Sequence, residues 1–181
     1  EVPPDGSSFD VIVVGGGPCG SAAAAYNAMN GCKVLLIEKE IWPRDKPCGD
    51  AVGGKSLSHV EELGVKAMIE GTPHFRVDSI IFGSANGSTV RVMLPKEEFE
   101  NKMAGYSLPR VQFDYMMFKR ATELVLEAGG AVIQGFSVMD VTTDYMRVTG
   151  IAGRLGGRHS TNPSLSFKAP LTVGAGGYNC P

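Results

Sequence analysis

Three successive glycines and a proline, Gly15-Gly16-Gly17-Pro18, separate a β-branched run, Val11-Ile12-Val13-Val14, from a cluster of alanines at positions 22 to 25. That junction limits the fold more than any other feature of the chain. A short run that is apolar at every position reads as a strand buried on both faces, the pattern of parallel sheets. Parallel neighbours need a crossover connection, and the following residues supply a helical one. Pro18 suits the first helical turn, where its missing N–H costs nothing, the alanines are strong helix formers, and Asn30-Gly31 provides a left-handed stop. Lys33 to Ile37 then reads as the second strand, completing a βαβ unit.

Within that unit Gly15, Gly17 and Gly20 fall in the spacing G-x-G-x-x-G, and Glu38 closes the second strand. Gly15 allows a tight turn, Gly17 lets the backbone approach a pyrophosphate, and Gly20 lets helix and strand pack closely. The helix N-terminus offers that anion free N–H donors and a partial positive charge, so Pro18 and Cys19 in its first turn are also candidate cofactor contacts. Glu38 is placed to accept hydrogen bonds from adenosine ribose hydroxyls and would repel a 2′-phosphate, which disfavours NADP. These residues by themselves leave FAD and NAD both open.

Composition narrows the remaining choices. Glycine is 24 of 181 residues, about 13% and nearly twice the usual share of roughly 7%. Hydrophobic residues at 43% and charged residues at 20% exclude a disordered tail or a fibrous repeat. Lys+Arg 17 against Asp+Glu 19 leaves a net charge of −2 without a basic stripe, so nucleic acid is not an expected partner. Cys19, Cys32, Cys48 and Cys180 form no C-x-x-C pair, and His59, His74 and His159 stand apart, so no metal site is expected and a reducing compartment, cytoplasmic or stromal in type, fits. Val11 to Cys32 carries no formal charge, but five glycines and a proline make it poor chemistry for a membrane span. Acidic residues at Glu1, Asp5 and Asp10 argue against a signal peptide.

Further along, residues 1–8 read as a flexible leader and residues 41–54 as a loop too rich in proline and glycine for regular structure. Ser56 to Glu70 reads as helix interrupted at Gly64, and Val77 to Phe82 with Thr89 to Leu94 flank Asn86-Gly87, a strong hairpin signal. Phe113, Met117, Ala121, Leu124 and Ala128 mark one face of a helix ending at Gly129-Gly130. Short strands are expected at Ala131 to Gln134, Phe136 to Val141, Tyr145 to Thr149, Leu165 to Lys168 and Leu171 to Val173. Met103, Met116, Met117 and Met146 are expected to fill core space, not to form a lipid-binding stripe. The expected organisation is a nucleotide-binding domain over residues 9–72 and 107–181, with residues 73–106 opening an inserted antiparallel β region.

Residues 9–54 resemble the amino-terminal part of the FAD-dependent geranylgeranyl reductase family, within the wider class of para-hydroxybenzoate hydroxylase. The resemblance is carried by Asp10 to Pro18, by Ile37-Glu38-Lys39, and by Trp42-Pro43-Arg44-Asp45-Lys46-Pro47-Cys48-Gly49-Asp50. It implies an α/β, Rossmann-like FAD-binding domain of the glutathione-reductase type, three layers ββα. It implies further that Lys39, Arg44, Cys48, Gly49 and Ala51 lie along the cofactor, that Arg110 of Leu108-Pro109-Arg110, with Asp114 after it, reaches the cofactor, and that the backbone at Val138 meets adenine. The implied reaction is hydride delivery from reduced flavin to an isoprenoid double bond of a geranylgeranyl-type lipid, with NADPH or a ferredoxin-like protein as electron donor and peripheral membrane contact. No catalytic residue of that step is identified. The chain departs from the class at Gly176-Gly177, where Asp-Gly is usual, and it reads as an amino-terminal part because the later Gly-Asp motif and the rest of the substrate domain are not in it. A flavin monooxygenase or halogenase, an NAD-binding dehydrogenase domain and an inactive truncated nucleotide-binding module stand as alternatives.

Overall fold

The computed structural model describes residues 1–94 and 105–179; Met103 and Cys180 lie outside the described residues. The chain divides into two units, Glu1–Arg44 with Asp114–Pro181, and Asp45–Phe113. Residues 45–72 and 107–113, expected to belong with the nucleotide-binding domain, thus group with the β-rich part.

In the first unit, β1 (Val11–Val14), α1 (Pro18–Met29) and β2 (Val34–Glu38) realise the βαβ unit. β1 pairs in parallel with β2 on one side and with β12 (Leu171–Gly174) on the other, and β8 (Ala131–Gln134) adds to β2, giving the order β12-β1-β2-β8. The chain leaves β1 toward β2 and returns from its far end on the opposite flank, so the loop after β1 sits where strand order reverses, the place where open α/β sheets bind ligands.

One face of this sheet packs on an antiparallel meander of β9 (Phe136–Asp144), β10 (Arg147–Leu155) and β11 (Leu165–Lys168). Ile12, Val14, Leu35, Ile37 and Ile133 from the sheet meet Phe136, Ile151 and Phe167 from the meander in one buried cluster. Side chains alternate across a strand, so Val11, Val13, Val34 and Leu36 serve the other face. There α1 contributes buried Ala24, Ala25 and Ala28, small side chains that let its backbone approach β1 and β2. Helix, parallel sheet and β meander make the three layers that the sequence implied.

Some local readings shift. Residues 4–8, read as a loose leader, are hydrogen-bonded along β11: Gly6 N–H donates to Ser166 O at 2.9 Å, and Asp5 Oδ1 accepts from Ser166 N–H at 2.7 Å. Tyr145, expected in a strand, is the turn residue between β9 and β10 with φ 51°. Its neighbour Met146 is fully exposed and fills no core, whereas Met117 is buried and Met116 half-buried.

In the second unit, β3 (Ala51–Val52), β4 (Phe75–Arg76) and β7 (Tyr106–Ser107) form a small antiparallel sheet of order β3-β7-β4, so the proline- and glycine-rich loop ends in a strand pairing. α2 (Ser56–Glu62) and α3 (Val65–Glu70) are separated by Gly64 at φ 77°, a conformation that suits glycine. β5 (Ser79–Gly83) and β6 (Thr89–Met93) form the expected hairpin, with Gly87 at φ 86° in the turn. The long helix α4 (Arg110–Glu127) contains the division between units.

Two outcomes follow from this packing. Phe167→Ala should lower stability by about 3–5 kcal/mol, the range for emptying a buried aromatic site, as read by urea unfolding. The buried Tyr106 hydroxyl donates to Glu70 Oε1 at 2.9 Å, and burial first, then that bond, pushes its pKa from 10.0 up to about 12. A raised folded pKa gives stability that is complete below the ordinary value and lost as pH rises toward the folded one. Unfolding free energies measured between pH 10 and 12 should therefore fall more steeply for the native chain than for Tyr106→Phe.

Candidate functional site: a dinucleotide cradle

The loop after β1 is fixed from both flanks. Gly15 N–H donates to Ile37 O at 2.7 Å, and Ala175 N–H, just past β12, donates to Val14 O at 2.7 Å. Gly15 has φ 108°, and a Cβ there would lie 2.5 Å from Ala175 O. A Cβ on Gly20 would collide with Gly15 O. Both glycines are therefore demanded by the fold itself. Gly16, which the motif leaves unspecified, is demanded as well: a Cβ would lie 2.8 Å from the Phe118 ring.

Gly17 is different. It caps α1 with φ −66° and ψ 178°, extended backbone that any residue adopts, and the one group within 4 Å of a Cβ there is Arg44 Nη2 at 3.4 Å. Nothing in the fold requires glycine at this position. The space in front of it is bounded by a guanidinium and by the first turn of α1, whose leading N–H groups lack intrahelical acceptors. That is a cradle for an anion which a side chain would fill.

Glu38 is buried at 5% exposure. Its Oε2 accepts from Gly16 N–H at 2.7 Å and its Oε1 from Glu40 N–H at 3.0 Å. A carboxylate offers about four lone-pair sites, so two remain for ribose hydroxyls while the other two hold the glycine loop in place. Lys39 beside it is exposed.

Arg44 joins this site through contacts that its sequence position did not reveal. Its Cζ stands 4.4 Å from the ring centroid of Trp42, and its Nη1 lies 3.5 Å from Asp114 Oδ2. Trp42, buried, stacks on Phe118 at 5.1 Å and Tyr115 at 6.2 Å, and its backbone N–H donates to Gln134 Oε1 at 2.8 Å. The first unit thus brings together Gly15, Gly17, Pro18, Gly20, Glu38 and Arg44. Cys19 is an exposed free thiol in the first turn of α1. Val138 packs its half-buried side chain against the meander core.

The other expected contacts lie in the second unit. Cys48 and Gly49 are exposed in the loop, and Ala51 begins β3. Asp50 ties that loop to the start of α4: its backbone O accepts from Leu108 N–H at 3.0 Å, and its Oδ1 accepts from Arg110 N–H at 3.2 Å. The two motifs that the resemblance singled out, Pro47-Cys48-Gly49 and Leu108-Pro109-Arg110, are therefore neighbours. Among the described residues no cluster of His, Cys, Asp or Glu could hold a metal ion.

A glycine cradle, a buried carboxylate with lone pairs to spare and a nearby guanidinium fit a dinucleotide. Residues 8–181 match the model of the FAD binding domain family. The chain belongs to that family. FAD is its cofactor, which decides between the two dinucleotides that the glycine motif left open. The chain is 33% identical over 140 residues to a menaquinone reductase of Mycobacterium tuberculosis, covering 77% of this chain and 32% of that protein. It is 27% identical over 176 residues to a digeranylgeranylglycerophospholipid reductase of Sulfolobus acidocaldarius, covering 94% of this chain and 34% of that protein. The structure of a myxobacterial chondrochloren halogenase that depends on FAD superposes with a TM-score of 0.78 at 24% identity, over 92% of this chain and 36% of that one. This FAD-binding domain spans about a third of the length of these proteins.

The contrast among the glycines generates a clean test. Gly17→Val should leave the thermal midpoint nearly unchanged while abolishing FAD binding, measured by flavin fluorescence titration. Glu38→Ala should weaken FAD binding by about 1–3 kcal/mol, the cost of hydrogen-bonding groups left without partners. It should also lower stability, because the Gly16 N–H loses its acceptor.

Proposed function

We propose that this domain serves a flavin-dependent reductase that saturates isoprenoid double bonds of a geranylgeranyl-type lipid. The observation that carries the reading is the Asp50 latch, which joins the Pro-Cys-Gly loop to the Leu-Pro-Arg motif. Likeness to a digeranylgeranylglycerophospholipid reductase along 94% of the chain supports the same reading. Bound FAD, once reduced, supplies a hydride for such a reaction.

In this reading the chain's own residues bind and orient. Gly17 and the first turn of α1 receive the diphosphate, Glu38 the adenosine ribose, and Arg110 with Cys48, Gly49 and Ala51 the flavin end, while Val138 presents backbone to adenine. A prenyl-lipid substrate would bring the enzyme to a membrane surface; no helix among the described residues is long and apolar enough to cross one. The electron donor would be NADPH or a ferredoxin-like protein.

The test is anaerobic: the protein's flavin is reduced with dithionite, a geranylgeranyl lipid is added, and the product is weighed. Gain of two hydrogens per reduced double bond is expected. A product that gains one oxygen atom, formed only in air, would instead assign the protein to the monooxygenases.

A further inference from the structure

Asp114 has no place in the cofactor contacts considered so far, yet its environment ties it to them. Its side chain is 1% exposed, and it shares an ion pair with Arg44, whose side chain is 18% exposed. A carboxylate taken this far out of water is costly unless it is paired, and Arg44 is one of the groups that pair with it. We propose that Asp114 is a positioning residue for the cofactor's diphosphate, acting through Arg44. The inference rests on the FAD site and is independent of the substrate.

The guanidinium of Arg44 is held on two sides, and its Nη2 tip faces the open space in front of Gly17. Its face lies over the Trp42 ring, its Nη1 edge faces Asp114, and its Nη2 stands 3.4 Å from the point where a Cβ on Gly17 would project. Trp42 is itself clamped by Phe118 and by the backbone bond to Gln134, so the platform under the guanidinium does not swing. The pair with Asp114 is 3.5 Å long, beyond the roughly 2.7–2.9 Å of a close charge-assisted hydrogen bond. A planar fork with five N–H donors held in this way keeps donors for a second anion. That anion meets a side chain whose rotamer is already chosen, and the entropy of choosing it is not charged to binding.

Charge alone predicts the opposite of positioning. If Asp114 only masks Arg44, its neutralisation frees a full positive charge beside the cradle and tightens binding of a diphosphate. If Asp114 aims Arg44, neutralisation lets the fork wander and binding weakens. The direction of the change therefore separates the two.

The probes are ADP, which carries the adenosine and diphosphate, and adenosine, which carries no phosphate. Trp42 is the only tryptophan in the chain and lies against Arg44, so its emission reports occupancy directly. The native protein should bind ADP more tightly than adenosine. Arg44→Gln should raise the ADP dissociation constant about tenfold, the loss of one charge-assisted bond, and Asp114→Asn about threefold to tenfold, both leaving adenosine unchanged. Because Asp114 acts through Arg44, the double variant should be no weaker for ADP than Arg44→Gln alone. Should Asp114→Asn fail to fold, Asp114→Glu, which keeps the charge but displaces it, carries the same expectation. Tighter ADP binding in Asp114→Asn, equal losses for ADP and adenosine, or additive effects in the double variant would each overturn the proposal. Equal affinity of the native protein for ADP and adenosine would also overturn it, and failure to bind either would remove the dinucleotide site on which it rests.

Discussion

The bond from Gly16 N–H to Glu38 Oε2 sets the conditions for everything around it. It joins the loop after β1 to the end of β2, and it does so inside the protein, where an unpartnered amide or carboxylate would be expensive. Gly16 cannot give way, since a Cβ would press on Phe118, and Phe118 in turn stacks on Trp42. One hydrogen bond thus links the glycine loop, the Glu38 carboxylate and, through Phe118, the aromatic platform that carries Arg44. The parallel sheet supplies the ends of β1, β2 and β12 at the right separation, and this bond converts that arrangement into a site.

The glycines of the cradle divide by what requires them. Gly15 and Gly20 answer to Ala175 and Gly176 just past β12 and to each other, so their side chains are excluded before any ligand arrives. Gly17 answers to no protein group except the tip of the Arg44 guanidinium, and its φ of −66° makes no conformational demand. A glycine that the fold does not need, placed at a helix N-terminus beside a guanidinium, is what a bound diphosphate would require. The division gives the motif a structural meaning that its spacing alone does not provide.

Much of the first unit was legible because local rules and global fold agree there. The β-branched run at 11–14, the alanines of α1, the stop at Asn30-Gly31 and the amphipathic stripe of α4 all became the elements that they suggest. Tyr145 misled because an aromatic residue favours strands, while the two-residue turn between β9 and β10 selected it for a left-handed conformation instead. The leader looked loose because it is polar and rich in proline, but its partners lie on β11, some 160 positions later, where no local pattern points (|i−j| = 161 for Asp5 and Ser166). Asp114 was noted only as the residue following the Leu-Pro-Arg motif; its pairing with Arg44, 70 positions earlier, is another contact that no local pattern announces.

Chemistry beyond the cofactor is not written in these residues. The groups assembled at the cradle are glycine backbone, a buried carboxylate and a guanidinium. The same front end therefore serves proteins whose reactions differ, as the structural likeness to a halogenase and the sequence likeness to two reductases illustrate. In the second unit, the loop from Pro47 to Asp50 is attached to the backbone of Arg110. A loop rich in proline and glycine would ordinarily be free to vary; here the Asp50 carboxylate and carbonyl tie it to the head of a long helix.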